Sequence, residues 1–280
     1  MPAPPDAKAR PHPFRIAQDA ARVPSAVRAP AIRYVELETT TNFTFLTGAS
    51  HPDEMVERAA ALGHAAASIA DVNTLAGVVR AHVAAKEAGL PLVVGSRLVL
   101  RDGLSLVVYP EDRAAYSRLC RLLTLGKRRV EKGCCDLGLE DVEEYAEGML
   151  AIAAPPRRVD DGFVESLRRL RGIFDDDRLS LAARRGYMQD DESRLRSLAA
   201  LAREERVALV ATNDAHQHVP RRRLLQDVVT CIRLGCTIEE AGRRLHQNAE
   251  RHLKPAEEMA RLFADHPGAI RRTVEIAERG

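Results

Sequence analysis

Asp214 and His216 close an apolar, β-branched run at 207–213, and His218 and Pro220 follow within four residues. A carboxylate and an imidazole two residues apart share one face of an extended strand, so both could converge on a single ion or substrate. Parallel α/β barrels present metal ligands and catalytic groups in this way, at the C-terminal tips of strands. The same residues also suit a polar strand-to-helix turn, with Asn213 or Asp214 as cap and the histidines in solvent. The difference lies in whether other elements bring further ligands to the same place.

The elements that must do so alternate. Apolar or alternating runs at 33–38, 65–71, 91–95, 104–109, 149–153, 179–182 and 207–211 predict seven strands. Between them the spacing predicts a helix capped by Ser50, with Pro52 and Asp53 in its first turn, then helices at 74–88 ended by Gly89, at 111–125 ended by Gly126, and at 191–205. Alternating strands and helices imply an α/β fold with a parallel sheet of βα units, most simply an irregularly closed βα barrel over residues 32–219. Residues 220–280 read as helices at 221–234, 238–245, 255–263 and 267–278, a helical appendix beside the barrel. Residues 1–31 hold seven prolines among Ala and Arg and are expected to form a disordered leader.

With 42 basic and 40 acidic residues, the net charge of +2 makes no global demand for nucleic acid. The basic clusters at Lys127-Arg128-Arg129 and Arg221-Arg222-Arg223 suit either a DNA backbone or a solvated helix face. An acidic run from Asp136 to Glu147 reads as a charged loop and short helix. The five cysteines lack Cys-x-x-Cys spacing and are expected to be reduced. No apolar run approaches the roughly 20 residues that span a bilayer, and 1–31 has no signal-peptide core. The expectation is a cytoplasmic protein without a membrane partner.

Three segments in fixed order, YVELETTTNFTFLTG at 34–48, SIADVNTLAG at 68–77 with PLVVGSR at 91–97, and VATNDAHQH at 210–218, resemble the polymerase-and-histidinol-phosphatase (PHP) domain of bacterial C-family DNA polymerase alpha subunits, nearest to the error-prone DnaE-like branch. QDVVTCIR at 226–233 and HLKPAEEMARLF at 252–263 resemble the link from that domain toward the polymerase palm and thumb. The resemblance implies a distorted seven-stranded βα barrel. It also implies up to three metal ions (Mg, Mn or Zn) at the strand ends, hydrolysing phosphoesters through activated water.

Carried over by position, that site is damaged. The family's first histidine pair falls on Glu38 and Thr40, its Asp-His on Asp71 and Val72, and an acidic position after Gly95 at or near Arg97. Asp71, Asp214 and His216 remain as residual ligand positions, too few for a multinuclear centre, and no cofactor is expected. Arg97 would supply its own charge in place of a cation and could pair with Asp71 or Asp214. Glu36 and Glu38 could offer oxygen ligands to a Mg- or Mn-like ion.

The polymerase carboxylates are not in this sequence, since Asp175-Asp176-Asp177 falls in a loop before a strand. What the resemblance implies is therefore a structural and interaction module without catalytic activity of its own. Its partners would be the remainder of the polymerase alpha subunit, DNA through the parent enzyme, and other translesion or replisome proteins. The alternative is an active metal-dependent phosphoesterase or 3'-5' exonuclease.

Overall fold

Helix starts and stops follow local chemistry along most of the chain. In the computed structural model, which describes residues 32–175 and 177–280, α1 (Pro52–Ala61) and β1 (Ala67–Val72) are followed by α2 (Val78–Ala88). Gly89 ends α2 in the left-handed conformation, at φ 63°, where a side chain would be strained. β2 (Leu92–Val99) and β3 (Ser105–Pro110) lead to α3 (Arg113–Arg128), capped by Asp112 accepting from the Ala115 amide, and to α4 (Leu139–Tyr145). Then come β4 (Met149–Ala153), α5 (Asp161–Ile173), β5 (Leu179–Arg184), α6 (Asp191–Glu204) and β6 (Ala208–Thr212). The C-terminal part contributes α7 (Arg223–Leu234), α8 (Ile238–Ala241), α9 (Ala256–Leu262) and α10 (Pro267–Arg279). The expected Pro-rich leader lies outside the described residues.

Several expectations change in detail. α2 begins at Val78, not at 74, and α3 runs through Gly126 to Arg128. α5 went unread in the sequence. α1 is capped by His51, whose amide donates to Glu54 Oε2 at 2.9 Å. Ser50 is drawn away from the cap because its Oγ lies 2.7 Å from His218 Nδ1 and accepts from the His218 amide at 3.0 Å.

Six strands, in the order β1-β2-β3-β4-β5-β6, form one curled sheet among the described residues. β1–β2, β4–β5 and β5–β6 are parallel, whereas β3 runs antiparallel to both neighbours, so the all-parallel expectation fails there. The cause is the short connection: Leu100 N donates to Leu104 O at 2.9 Å across a tight turn through Gly103, which leaves no length for a crossover helix.

The expected seventh strand at 33–38 is not a regular ladder. From Tyr34 onward it is a buried segment: Ala65 N donates to Tyr34 O and Ala70 N to Thr39 O on the β1 side, and Ala215 N donates to Glu38 O beyond β6. Regular pairing is lost because the segment's polar side chains turn back on themselves, Glu36 Oε1 accepting from the Glu38 amide at 2.9 Å.

One core lies between the sheet and α3–α6, with Leu119, Leu122, Phe163, Leu167, Leu170 and Leu198 buried against the outer sheet face. The concave face encloses a second, where Val35, Leu37, Val93, Tyr109, Ile152 and Val210 meet Ile276 of α10. α10 thus enters the core and is not the appendix expected of 220–280. Burying a residue such as Ile276 contributes about 1.5–3 kcal/mol. Gly95 is required by the same packing, since a Cβ there would come within 2.5 Å of the Tyr109 ring and 2.8 Å of Val108 O.

Candidate functional site

β6 delivers Asn213 and Asp214 at its tip, where the chain turns sharply. Asp214 has φ 50°, a left-handed geometry that Asp tolerates better than most residues. The turn is pinned on both sides. Asn213 N donates to Glu36 Oε2 at 2.8 Å, while Asn213 Nδ2 donates to Glu250 O and His252 O, both at 2.7 Å. Those carbonyls fix the segment around 246–252 over the strand ends, and His216 N donates to Arg251 O at 3.0 Å.

That segment delivers Arg251 to the carboxylate of Asp214. Its Nη2 contacts Asp214 Oδ2, and its Nε donates to Asp214 O at 3.2 Å. Arg97, at the end of β2's pairing with β1, donates to Asp214 Oδ1 at 2.7 Å and to Glu38 Oε1 at 3.2 Å. Arg184, the last residue of β5, donates to Glu38 through Nε at 2.6 Å and Nη2 at 2.5 Å, and its Nη1 lies 3.2 Å from Asp214 Oδ2. Three guanidinium groups therefore surround two buried carboxylates.

Electrostatics follow from this arrangement. Burial raises the affinity of Glu38 for a proton, but the charges of Arg184 and Arg97 and the hydrogen bonds from Arg184 and Thr212 outweigh it and bring the pKa down to about 2. Glu36 has no such cation. Burial pushes it up to about 7, although Tyr34 Oη and two backbone amides donate to it. His216, whose Nε2 lies 3.3 Å from Asp214 Oδ1, is pushed down to about 3 by burial, then by Arg97 and Arg184, and is neutral at physiological pH. Burial and the charges of Arg184 and Arg97 also hold Arg251 below the usual guanidinium range.

Of the residual ligand positions, Asp214 and His216 meet and Asp71 does not join them. Asp71 is consumed by a loop: it accepts from Thr41 N at 2.8 Å, Thr41 Oγ1 at 2.8 Å and Thr44 Oγ1 at 2.7 Å. Burial still raises its pKa. Of the two pairings open to Arg97, only that with Asp214 forms. Glu36 and Glu38, the candidate oxygen ligands, are taken by Tyr34 and Asn213 and by the arginines respectively.

The metal ions that the resemblance implies do not fit these residues. A divalent ion about 4 Å from one guanidinium would meet repulsion on the order of 8 kcal/mol at an effective dielectric of 20. Three guanidiniums converge here. Among the described residues, no three His, Cys, Asp or Glu side chains gather with the spacing that holds a metal. Thr40 Oγ1, at a family histidine position, is buried without a hydrogen-bond partner.

Sequence reading missed Arg184 and Arg251. Arg184 carried the signal that exposed Asp214, a polar residue at a strand's C-terminal end, but the strand was expected to stop at 182. Nothing local marks Arg251, which reaches the site through a segment whose position is set by Asn213.

The basic clusters are partly committed to structure. Arg129 donates to Asp141 at 2.5 and 2.7 Å, Arg222 pairs with Glu54, and Arg223 with Asp227 at 2.7 Å. The acidic run forms α4, as expected. The cysteines of the described residues are free thiols, and no helix of the described residues is long and apolar enough to cross a membrane.

Comparison with known proteins bears on the fold and the family. An amidohydrolase from Chromobacterium violaceum superposes with a TM-score of 0.50 at 17% identity, over 66% of this chain and 88% of that one, a likeness of fold. The error-prone DNA polymerase of Caulobacter vibrioides is 51% identical over 247 residues, and error-prone DNA polymerase 1 of Agrobacterium fabrum 49% identical over 249. These matches cover 88% and 89% of this chain but only 23% of each polymerase. The PHP domain family matches residues 36–209, from Glu36 to the start of β6. With that match across most of the sheet, and half-identical relatives along nearly the whole chain, the chain belongs to the PHP domain family, in the branch carried by error-prone, DnaE-type DNA polymerases.

Proposed function

We propose that this chain is the PHP portion of an error-prone polymerase alpha subunit in which an arginine–carboxylate network has replaced the metal centre, leaving a scaffold in place of a hydrolase. The observation that carries this reading is the convergence of Arg97, Arg184 and Arg251 on Glu38 and Asp214. Glu38 and Asp214 are already ion-paired, Asp71 is held by Thr41 and Thr44, and His216 is left with too few companions. The extended segment 34–40 acts as the seventh, irregular stave that closes the sheet toward a barrel. In the parent enzyme, cytoplasmic DNA synthesis across damage is the work of domains beyond this segment, which also supply the contact with DNA and with replisome or translesion proteins.

A docking role is supported by α7. Leu224, Val228 and Ile232 recur every four residues on one face, and Leu224 and Ile232 are 68% and 60% exposed. A bare apolar stripe of this kind marks an interaction surface. The natural occupant is the remainder of the polymerase chain, because the relatives are more than four times as long as the segment they share with this one.

The test is hydrolysis together with metal content. Protein purified without chelator should carry far less than one equivalent of Zn or Mn, and single-stranded DNA and simple phosphomonoesters should stay uncut with Mg, Mn or Zn added. Cleavage that persists in Asp214→Ala belongs to a contaminant. Metal-dependent cleavage abolished by Asp214→Ala or His216→Ala would establish the phosphoesterase or exonuclease instead.

A further inference from the structure

Beside the network a cavity of about 350 Å³ opens between the loop after β5 and the segment 243–251. Six arginines line it: Arg157, Arg184, Arg185, Arg194, Arg243 and Arg251. The four acidic residues of the lining, Asp190, Asp191, Asp214 and Glu250, are fewer and mostly committed. Asp214 is held by three arginines, Glu250 accepts from the buried Lys254 at 2.8 Å, and Asp191 accepts from the Met188 amide at 3.0 Å.

The arginines, by contrast, keep donors in reserve. Arg194 donates only to the backbone carbonyls of Pro155, Pro156 and Arg157 and makes no ion pair among the described residues, so the nearby Asp190 and Asp191 offset its charge only from a distance. Arg243 makes no ion pair among the described residues. Arg185 spends Nη1 on Leu262 O at 2.6 Å and Nη2 on Glu192 at 3.1 Å, while its Nε is buried with no hydrogen-bond partner. A buried donor without an acceptor is costly and calls for one. Arg184 and Arg251 each keep 30% of the side chain exposed toward the opening.

A planar guanidinium fork matches a phosphoryl group in charge and geometry, and several forks around one concavity make a phosphate site without any metal. A volume of 350 Å³ admits an anion of pyrophosphate or mononucleotide size, and Met188, Leu245 and Pro155 offer apolar wall for a sugar or base. We propose that the cavity binds a phosphate-bearing anion of this size, metal-independently, through Arg185, Arg194 and Arg243 with Arg184 and Arg251 at its floor. The inference rests on the reading of the centre as metal-free. It adds a ligand to what is otherwise a scaffold.

The experiment is calorimetric titration of the full chain with inorganic pyrophosphate and, separately, with dAMP, both in excess EDTA and both repeated with Mn²⁺. Binding in EDTA is expected, weakening as salt screens the guanidiniums. Arg194→Gln should weaken it by about tenfold and Arg243→Gln by about threefold, as expected for lost charge-assisted bonds. Arg243 holds no described ion pair, so that variant stays interpretable if Arg194→Gln fails to fold. Arg168→Gln, at a surface pair with Glu205, should leave affinity unchanged.

Tighter dAMP than pyrophosphate would name a nucleotide as the source, and the reverse a free phosphoanion; either order supports the site. No binding in either medium, or affinity unmoved in both cavity variants, overturns the site and leaves the scaffold reading standing. Binding that requires Mn²⁺ and vanishes in Asp214→Ala overturns both.

Discussion

Arg184 grips both carboxylate oxygens of Glu38 across 146 residues of sequence, at 2.6 Å to Oε2 and 2.5 Å to Oε1. Bidentate geometry of this kind is the strongest form of ion pair, and Glu38 is fully buried. Removing Arg184 leaves the buried Glu38 with only Arg97 at 3.2 Å and the Thr212 hydroxyl to offset its charge. Arg184→Met is therefore expected to destabilise the chain by about 3 kcal/mol in urea unfolding, and Glu38→Gln added to it should recover a substantial part. Equal stability of Arg184→Met and the parent would show that the pair contributes nothing.

Glu36 predicts the sign of a pH dependence. Its carboxyl titrates near 4.5 when unfolded and at about 7 when folded, so the folded state holds a proton that the unfolded chain releases. The stability it contributes is full below pH 4.5 and is lost as pH rises through 7. Glu36→Gln should gain on the parent by about 3 kcal/mol between pH 4.5 and 8, read as a slope so that any constant offset cancels. The buried His216, whose pKa is depressed, has the opposite slope but is common to both proteins. A difference that stays flat with pH would refute the assignment.

Asp71 is expected to act on the loop at 41–48 and not on chemistry. Asp71→Ala strips acceptors from Thr41 and Thr44 and should cost about 1–3 kcal/mol. Amide exchange at Thr41 should accelerate while exchange in β5 and β6 is unchanged. Exchange at Thr41 as slow as in the parent would mean that the loop is held by something else.

Ile232→Lys on α7 tests the docking face. At an exposed position it should leave the stability of this chain within about 0.5 kcal/mol. In a full-length relative, or when this chain is mixed with the separately made remainder of such a polymerase, the same change should weaken association measurably in sedimentation. Unaltered association would remove α7 from the interface.

Much of the architecture is local and so could be read from sequence. The tip of β6, the left-handed stops at Gly89 and Gly235, the Asp-bearing end of β1 and the short acidic helix α4 each depend on neighbours a few residues away. Motif order at 34–48, 68–97 and 210–218 identified the family because several segments had to agree. The residue types at Thr40, Val72 and Arg97 led to the expectation of an incomplete family ligand set.

What tertiary structure decided is where each charge goes. Asp71 and Asp214 look alike in sequence, each closing an apolar strand, yet one is absorbed by threonine hydroxyls and the other by three arginines. Ser50 carries every local mark of a helix cap and is taken instead by His218. The physical reason is that desolvation makes an unpaired buried carboxylate too costly, so each one claims whichever donor the folded chain brings within reach. Those donors sit on other strands and on the segment laid across them. Sequence alone therefore determined that this strand end would be polar, and only the closure of the fold decided that arginines from three separate elements would fill it.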